Sequence, residues 1–284
     1  MDSLLQQTVT DWRLFWRDDG STDGTVALME AFLAGPAAGR AVRIEGAPGW
    51  LGPTATFMTL LRAAVAAGVP AVAFADQDDV WLPEKLALGL AALSSHAGPT
   101  LYCSRQVLVD EHLRVLSNSA PLRHPPGFPA ALTQNIATGC TVMLNAPAAQ
   151  LIAASHPPSA TLHDWWSYLV VSARGGTLIT DPTPTVMYRQ HGTNVVGAPR
   201  SLHRRAVAAL LRGPDIFMNV LRGHVAALRA QPALTCPDAA ATVETLHLAL
   251  HGGWRERKEA LRLPGLFRQT WAETMLFRWW FLRG

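Results

Sequence analysis

Phe74-Ala75-Asp76-Gln77-Asp78-Asp79-Val80-Trp81 sets the end of an apolar run directly against three carboxylates. The small, apolar residues from Ala71 to Phe74 have the composition of a buried parallel strand, and ligands of an open α/β sheet gather just past the carboxyl ends of such strands. Asp79 near the cap position ahead of Pro83 accounts for one carboxylate locally, not three. The surplus calls for a cation. Residues two apart on an extended chain share a face, so Asp76 and Asp78 are expected to meet one divalent ion while Asp79 points elsewhere. All-oxygen ligands imply Mg2+ or Mn2+. A calcium loop of the EF-hand type is disfavoured, because its sixth position needs Gly and this stretch has Trp81 there.

On either side, strand-like and helix-like segments alternate. Residues 12–17 (WRLFWR) pattern as a strand, 25–33 as a helix, 41–44 as a strand, 56–67 as a helix with Phe57, Leu60, Leu61 and Ala64 at helical spacing, and 70–75 as the next strand. Residues 86–93 continue as a helix, and 100–103 and 106–109 are strand-like. Alternation of this kind builds βαβ units, so the expected class is α/β with a mostly parallel central sheet. Past Gly197 β-branched residues thin out and arginines multiply. A boundary near residue 198 is therefore expected, with an α/β unit over 1–198 and a helical, basic, Trp-rich extension over 199–284.

Other stretches carry polar residues in places that suit a site. DDGSTDGT, from Asp18 to Thr25, lies at a strand-to-helix junction. Its Gly, Ser and Asp residues suit turns and caps, but adjacent carboxylates Asp18 and Asp19 at a strand's end also suit ribose hydroxyls or a base edge. His163-Asp164-Trp165-Trp166 opens a helix over about 165–173, with Asp164 at the expected N-cap. The helix's positive end favours an ionised Asp164 and the flanking indoles disfavour it, and the sequence leaves that balance open. Arg189 in YRQH is a diphosphate partner or a solvated arginine, and His191 a metal or phosphate ligand or neither. NIATGCT, residues 135–141, is a small-residue loop that lets a substrate approach closely or simply packs.

Composition narrows the classes. A chain of 284 residues with 49% hydrophobic content buries roughly three-quarters of its unfolded surface. Three widely spaced cysteines, Cys103, Cys140 and Cys236, form no disulfide framework and no zinc-type spacing, which fits a reducing cytosol. No uninterrupted apolar run is long enough to span a bilayer, and the first residues lack the pattern of a secretory signal. Residues 1–100 hold 6 basic and 11 acidic groups, and residues 200–284 hold 13 and 6. The acidic front argues against nucleic acid. The basic, aromatic end suits the inner face of the plasma membrane, as does a plain solvated arginine face. Phe267, Trp271 and Met275 at four-residue spacing, with Trp279, Trp280 and Phe281 beyond, pattern either as an interfacial helix or as one packed on the rest of the chain.

Taken in order, QQT (6–8), RDDGSTDGT (17–25), FADQDDVWLPEKL (74–86), NIATGCTVMLN (135–145), HDWW (163–166) and YRQHGTNVVG (188–197) resemble glycosyltransferase family two, in its bacterial rhamnosyltransferase-like branch. The resemblance covers about the first 200 residues, and the basic tail is similar too. It implies a Rossmann-like GT-A fold and inverting transfer of a sugar, rhamnose by the branch's habit, from a UDP- or dTDP-linked donor to a hydroxyl of a growing surface glycan or lipid-linked acceptor. By the same resemblance Asp19, with Asp18, contacts the nucleoside. Asp78 binds the metal, Asp76 the metal or ribose, and His191 completes the metal or diphosphate site with Arg189. Asp164 is the general base, and Thr138 and Gly139 face the donor sugar or acceptor.

Two departures accompany the likeness. Family members carry an apolar first strand ahead of the residues matching Ser3 to Thr8, and its counterpart is expected to be missing here. A late-placed start is the favoured account, with another segment in the gap or an inactive remnant as the others. Trp50 stands where the family has Asn, and Arg105 where it has Asp, which bears on donor preference.

Overall fold

The computed structural model describes residues 1–45, 49–190 and 202–284, with side chains from 214 onward in the last stretch. Helix α1 (Asp2–Leu5) leads to β1 (Leu14–Trp16), α2 (Thr25–Ala34), β2 (Ala41–Arg43) and α3 (Pro53–Ala66). Next come β3 (Ala71–Ala73), β4 (Val80–Trp81), α4 (Lys85–Leu93), β5 (Thr100–Val109), β6 (Val115–Asn118) and α5 (Ala130–Thr133). A 3-10 turn, Gly139–Thr141, runs into β7 (Met143–Asn145), α6 (Ala146–Ala153), α7 (His163–Ala173) and β8 (Thr177–Arg189). The long elements that remain are α8 (Leu202–Ala230), α9 (Pro237–His251), α10 (Trp254–Ala260) and α11 (Trp271–Arg283).

The class is α/β, with a central mixed sheet in the order β3-β7-β5-β8-β4 and β6 on the outer half of β5. Its longest ladder, β5 with β8, runs parallel from Thr100–Thr177 to Val109–Arg189, and the short strands flanking it run antiparallel. Residues 100–103 and 106–109 are one strand. Its register with β8 shifts around Arg105, which is where the sequence pattern breaks. β1 and β2 form a separate parallel pair, and among the described residues β1 has no ladder with β3.

Register fixes which loops meet. Ala73 pairs with Met143 in the antiparallel β3–β7 ladder, and the Phe74 amide donates to the Val142 carbonyl at 3.3 Å. The chain leaving β3 therefore faces the chain entering β7, so the acidic stretch and the Gly139–Thr141 turn occupy one end of the sheet. β4 returns antiparallel to β8, with Val80 opposite Met187, and brings Arg189 to the same end. Asn145 locks the far end of β7. Its side-chain oxygen accepts from the Thr100 and Ala148 amides, which caps α6, while its amide group donates to the His96 and Gly98 carbonyls.

The core is continuous from sheet to C-terminal helices. Helix α7 is its axis, with Trp166, Tyr168, Leu169, Val170 and Val171 all buried. The same cluster holds Leu221, Val225 and Leu228 of α8, Val243 and Leu246 of α9, and Phe277, Trp280 and Phe281 of α11. The expected boundary near 198 lies outside the described residues, and apolar side chains from both sides of it share this cluster. His224 of α8 bonds the Thr161 hydroxyl at 2.8 Å, and Thr54 of α3 bonds the Thr161 carbonyl at 2.6 Å, tying the last helices to the loop before α7. Phe277→Ala is expected to cost about 3–5 kcal/mol, while Trp271→Ala, at an exposed position, stays within about 0.5 kcal/mol. Urea denaturation followed by circular dichroism reads both, and a shared core requires one transition for the whole chain.

Candidate active site

The acidic stretch is a turn. β3 ends at Ala73 and β4 begins at Val80, so the alternation of an extended strand does not apply between them. Asp79 therefore does not point away. Its carboxylate joins that of Asp76 and the Cys140 sulfur in a cluster whose ligand atoms all lie within 4.8 Å of one another. Asp78 sits at the turn beside it. Arg189 braces this turn from the end of β8, donating from its amide to Asp79 Oδ1 (3.1 Å), from Nε to the Asp78 carbonyl (2.9 Å) and from Nη1 to the Glu111 carbonyl (2.6 Å).

Facing this turn, the Gly139–Thr141 segment presents two successive amides. The Gly139 N–H donates to Asp164 Oδ2 at 3.0 Å, and the neighbouring Cys140 backbone amide acts weakly on the Asp76 carboxylate, favouring its charged form. A β-carbon built on Gly139 would stand 2.9 Å from His163 Nε2 and 3.6 Å from Asp76 Oδ2, so residue 139 has no room for a side chain. Helix α7 starts at His163 with Leu162 as its N-cap, which places Asp164 in the first turn and not at the cap position expected for it. There Asp164 Oδ1 accepts from the Trp165 amide at 2.6 Å. His163 stacks on Phe57 with ring centroids 3.8 Å apart and meets Phe74 edge-on at 4.8 Å. Thr138 is half-buried at the N-cap of the turn.

Burial decides the electrostatics. Desolvation, reinforced by the charges of Asp79, Asp78 and Asp164, raises Asp76 to about 7. Asp164 is raised to about 6 because its burial outweighs the amides of Trp165 and Gly139. That answers the balance the sequence left open: burial wins over the helix end. Burial also holds His163 down to about 3, so its ring is neutral and supplies no counter-charge.

The DDGSTDGT residues serve the turn and the neighbouring helix. Asp18 is half-buried and accepts from the Gly20 and Ser21 amides, both at 3.0 Å. Asp19 accepts from the Leu51 and Gly52 amides, each at 2.8 Å, and pairs with Arg17. These contacts outweigh its burial and keep it ionised. Asp19 thus holds the start of α3, where Gly52 takes φ 80 just ahead of Pro53. His191 lies outside the described residues. Cys140, which spacing alone set aside, and Lys85, whose burial nothing in the sequence signals, both belong to the neighbourhood of the acid cluster.

The donor set fits a divalent cation: two carboxylates converge, and Asp79 Oδ2 is buried without a hydrogen-bond partner. The raised carboxyls also fix the sign of a pH effect. Their folded values exceed the unfolded value of 3.8, so stability from these groups is complete below it and drains as pH climbs through about 6 and about 7. Metal-free protein is expected to lose urea resistance across that window. Asp76→Asn flattens the slope, and an unaltered slope in that variant refutes the burial argument.

Residues 1–139 match the family described as glycosyl transferase family 2. Among curated proteins the chain is similar to the dTDP-rhamnosyl transferase RfbG of Shigella flexneri, at 27% identity over 221 residues, covering 70% of this chain and 69% of that protein. With a mixed central sheet, flanking helices and a helical C-terminal region, the architecture is the GT-A α/β fold. Over its first 139 residues the chain thus matches glycosyl transferase family 2, and over 70% of its length it is similar to a dTDP-rhamnosyl transferase.

Proposed function

We propose that this protein is an inverting hexosyltransferase that moves a sugar from a dTDP-linked donor, with rhamnose as the leading sugar, to a hydroxyl of a growing bacterial surface glycan. One observation carries the reading. A buried carboxyl poised as a proton acceptor, Asp164, is held by the Gly139 amide, and a carboxyl of the proposed cation site, Asp76, lies against the same turn, 3.6 Å from where a Gly139 β-carbon would stand. The printed name of the Shigella relative supports dTDP over UDP.

Asp76 and Asp79 would hold Mg2+ or Mn2+, with Asp78 and His191 completing the set toward the donor. Such an ion neutralises the charge that develops on a departing diphosphate. Asp164 accepts the proton of the acceptor hydroxyl as that oxygen bonds to the anomeric carbon, while the bond from that carbon to the diphosphate oxygen breaks and its electron pair leaves with dTDP. A base near pH 6 is ionised at neutral pH yet basic enough to share the proton in the transition state. Attack comes from the face opposite the leaving group, hence inversion. Thr138 lies at the mouth of the turn for donor or acceptor hydroxyls, and Gly139 lets them approach its backbone. Asp18 and Asp19 border the nucleoside side, and Arg189 positions the acidic turn beneath the diphosphate.

The competing reading is a nucleotide-sugar-binding or scaffold remnant without turnover, favoured by the break between β1 and β3. Release of dTDP from dTDP-rhamnose with Mn2+ and a membrane glycolipid fraction separates the two. Turnover is expected, and Asp164→Asn should lower it by about 10² to 10⁴ while dTDP binding by calorimetry stays intact. Binding heat without turnover in the unaltered protein decides for the remnant.

A membrane contact is part of the proposal in a restricted form. Trp280 and Phe281 are buried in the core and cannot insert, whereas Trp271 and Trp279 are 76% and 45% exposed and lie two turns apart on α11. Arg283 stacks over Trp279 at 4.5 Å. No described helix is long and apolar enough to cross a membrane. Trp271→Ser with Trp279→Ser is expected to abolish sedimentation with phosphatidylglycerol vesicles while stability holds. Undiminished sedimentation removes the contact.

A further inference from the structure

We propose that His163 recognises the donor sugar: its Nε2 makes a hydrogen bond to a ring hydroxyl of the pyranose carried by the nucleotide, across the bare face of Gly139. This rests on the donor reading proposed above and adds to it the residue that senses the sugar as distinct from its nucleotide.

The first support is a pair of orphaned polar atoms. The His163 residue is 6% exposed, and neither ring nitrogen has a hydrogen-bond partner among the described residues. In either neutral tautomer an imidazole carries one N–H and one bare nitrogen, so both are withdrawn from water with nothing in return. Buried polar groups of folded proteins are nearly always paired, and an exception calls for a bound group. Packing accounts for the body of the ring and not for its nitrogens. Phe57 lies against one face at 3.8 Å and Phe74 meets the ring edge-on at 4.8 Å, contacts that a third phenyl ring would serve as well. His224, also buried, keeps its Nε2 bonded to the Thr161 hydroxyl.

The second support is direction. A β-carbon at residue 139 would stand 2.9 Å from His163 Nε2 and 3.6 Å from Asp76 Oδ2, so the nitrogen and that carboxylate oxygen flank the same missing side chain. Asp76 is a carboxyl of the proposed cation site, and the group beside it in a bound donor is the one attached to the diphosphate. Asp164 takes a different part of the glycine, its N–H. Consecutive residues of a helix project about 100° apart, so the two side chains address different partners: Asp164 the acceptor hydroxyl, His163 the donor sugar. A hydroxyl both donates and accepts, which lets the bond form in either tautomer. Held by Phe57 and Phe74, the ring is already in place before the sugar arrives, and little ordering remains to be done on binding.

A site built to hydrogen-bond a substrate hydroxyl discriminates against a ligand that lacks it, because its own polar atom is then left unpaired. The signature of His163 is therefore a difference between dTDP-sugar and dTDP, not a loss of nucleotide binding.

The test is calorimetry of the full chain with dTDP and with dTDP-rhamnose, each with Mn2+, on the unaltered protein and on His163→Phe, His163→Gln and His163→Asn. A Gln side-chain amide reaches close to the place of Nε2, and an Asn amide to that of Nδ1. All of these proteins are expected to bind dTDP alike. Affinity for dTDP-rhamnose falls about tenfold in His163→Phe, returns for the most part in His163→Gln and does not return in His163→Asn. Equal affinity for dTDP-rhamnose in the unaltered protein and His163→Phe overturns the proposal. So does a loss that dTDP shares, or one of the same size in all three variants, which marks a packing role. No binding of dTDP to the unaltered protein overturns the donor reading itself, and this inference with it. Should His163→Phe not fold, nitrogen NMR of the unaltered protein with isotopically labelled histidine decides alone. The His163 Nε2 signal, identified by its absence in His163→Gln, shifts with dTDP-rhamnose and stays in place with dTDP, and a signal unmoved by the sugar overturns the contact.

Discussion

Two consecutive peptide N–H groups, those of Gly139 and Cys140, organise this end of the molecule. The first holds Asp164 at the start of α7, and the second acts weakly on Asp76 beyond β3. A hydrogen bond to an ionised carboxylate is stronger than one between neutral groups, and it carries direction as well as energy. Because the antiparallel β3–β7 ladder fixes where the turn begins, the spacing between Asp164 and Asp76 is set by backbone geometry. The lack of room at position 139 belongs to the same design: a side chain there would push His163 or Asp76 out of place.

The site concentrates negative charge where water is scarce. Asp76, Asp79 and Asp164 all have raised pKa values, chiefly because their charged forms are desolvated. Metal-free, the arrangement is electrostatically unfavourable, and on the proposed reading a bound cation would relieve it. Ground-state tension of this kind would make binding of the proposed ion and carboxylate ionisation one coupled event. Arg189 offsets part of it from below, through the backbone of the acidic turn and a bond to Asp79.

Much of this was legible in the residues. The alternation of strands and helices gave the α/β class, and an apolar run ending in carboxylates gave the place of the acidic cluster at the sheet's end. The errors share a cause. Asp79 was expected to face away because a strand was assumed to continue through it, yet the chain turns after Ala73 and only tertiary placement shows which carboxylates converge. Asp164 was placed at the cap because capping is a local rule, while the helix began with His163, packed between two aromatic rings. Cys140 sits 61 residues beyond Asp79 in sequence, a separation no spacing rule detects. Lys85 falls inside the FADQDDVWLPEKL stretch, yet nothing there signals its burial, since burial of a charged residue is a property of the fold.

The continuity of the core from α7 into α8, α9 and α11 limits how such chains can be recombined. A graft that exchanges only the last helices for those of a relative would bring foreign side chains against Trp166, Val170 and Val171. Hybrids of this protein should therefore respect paired surfaces on both sides of the junction. Variation in acceptor choice, if it resides in the tail, would then be inherited together with matching changes in α7.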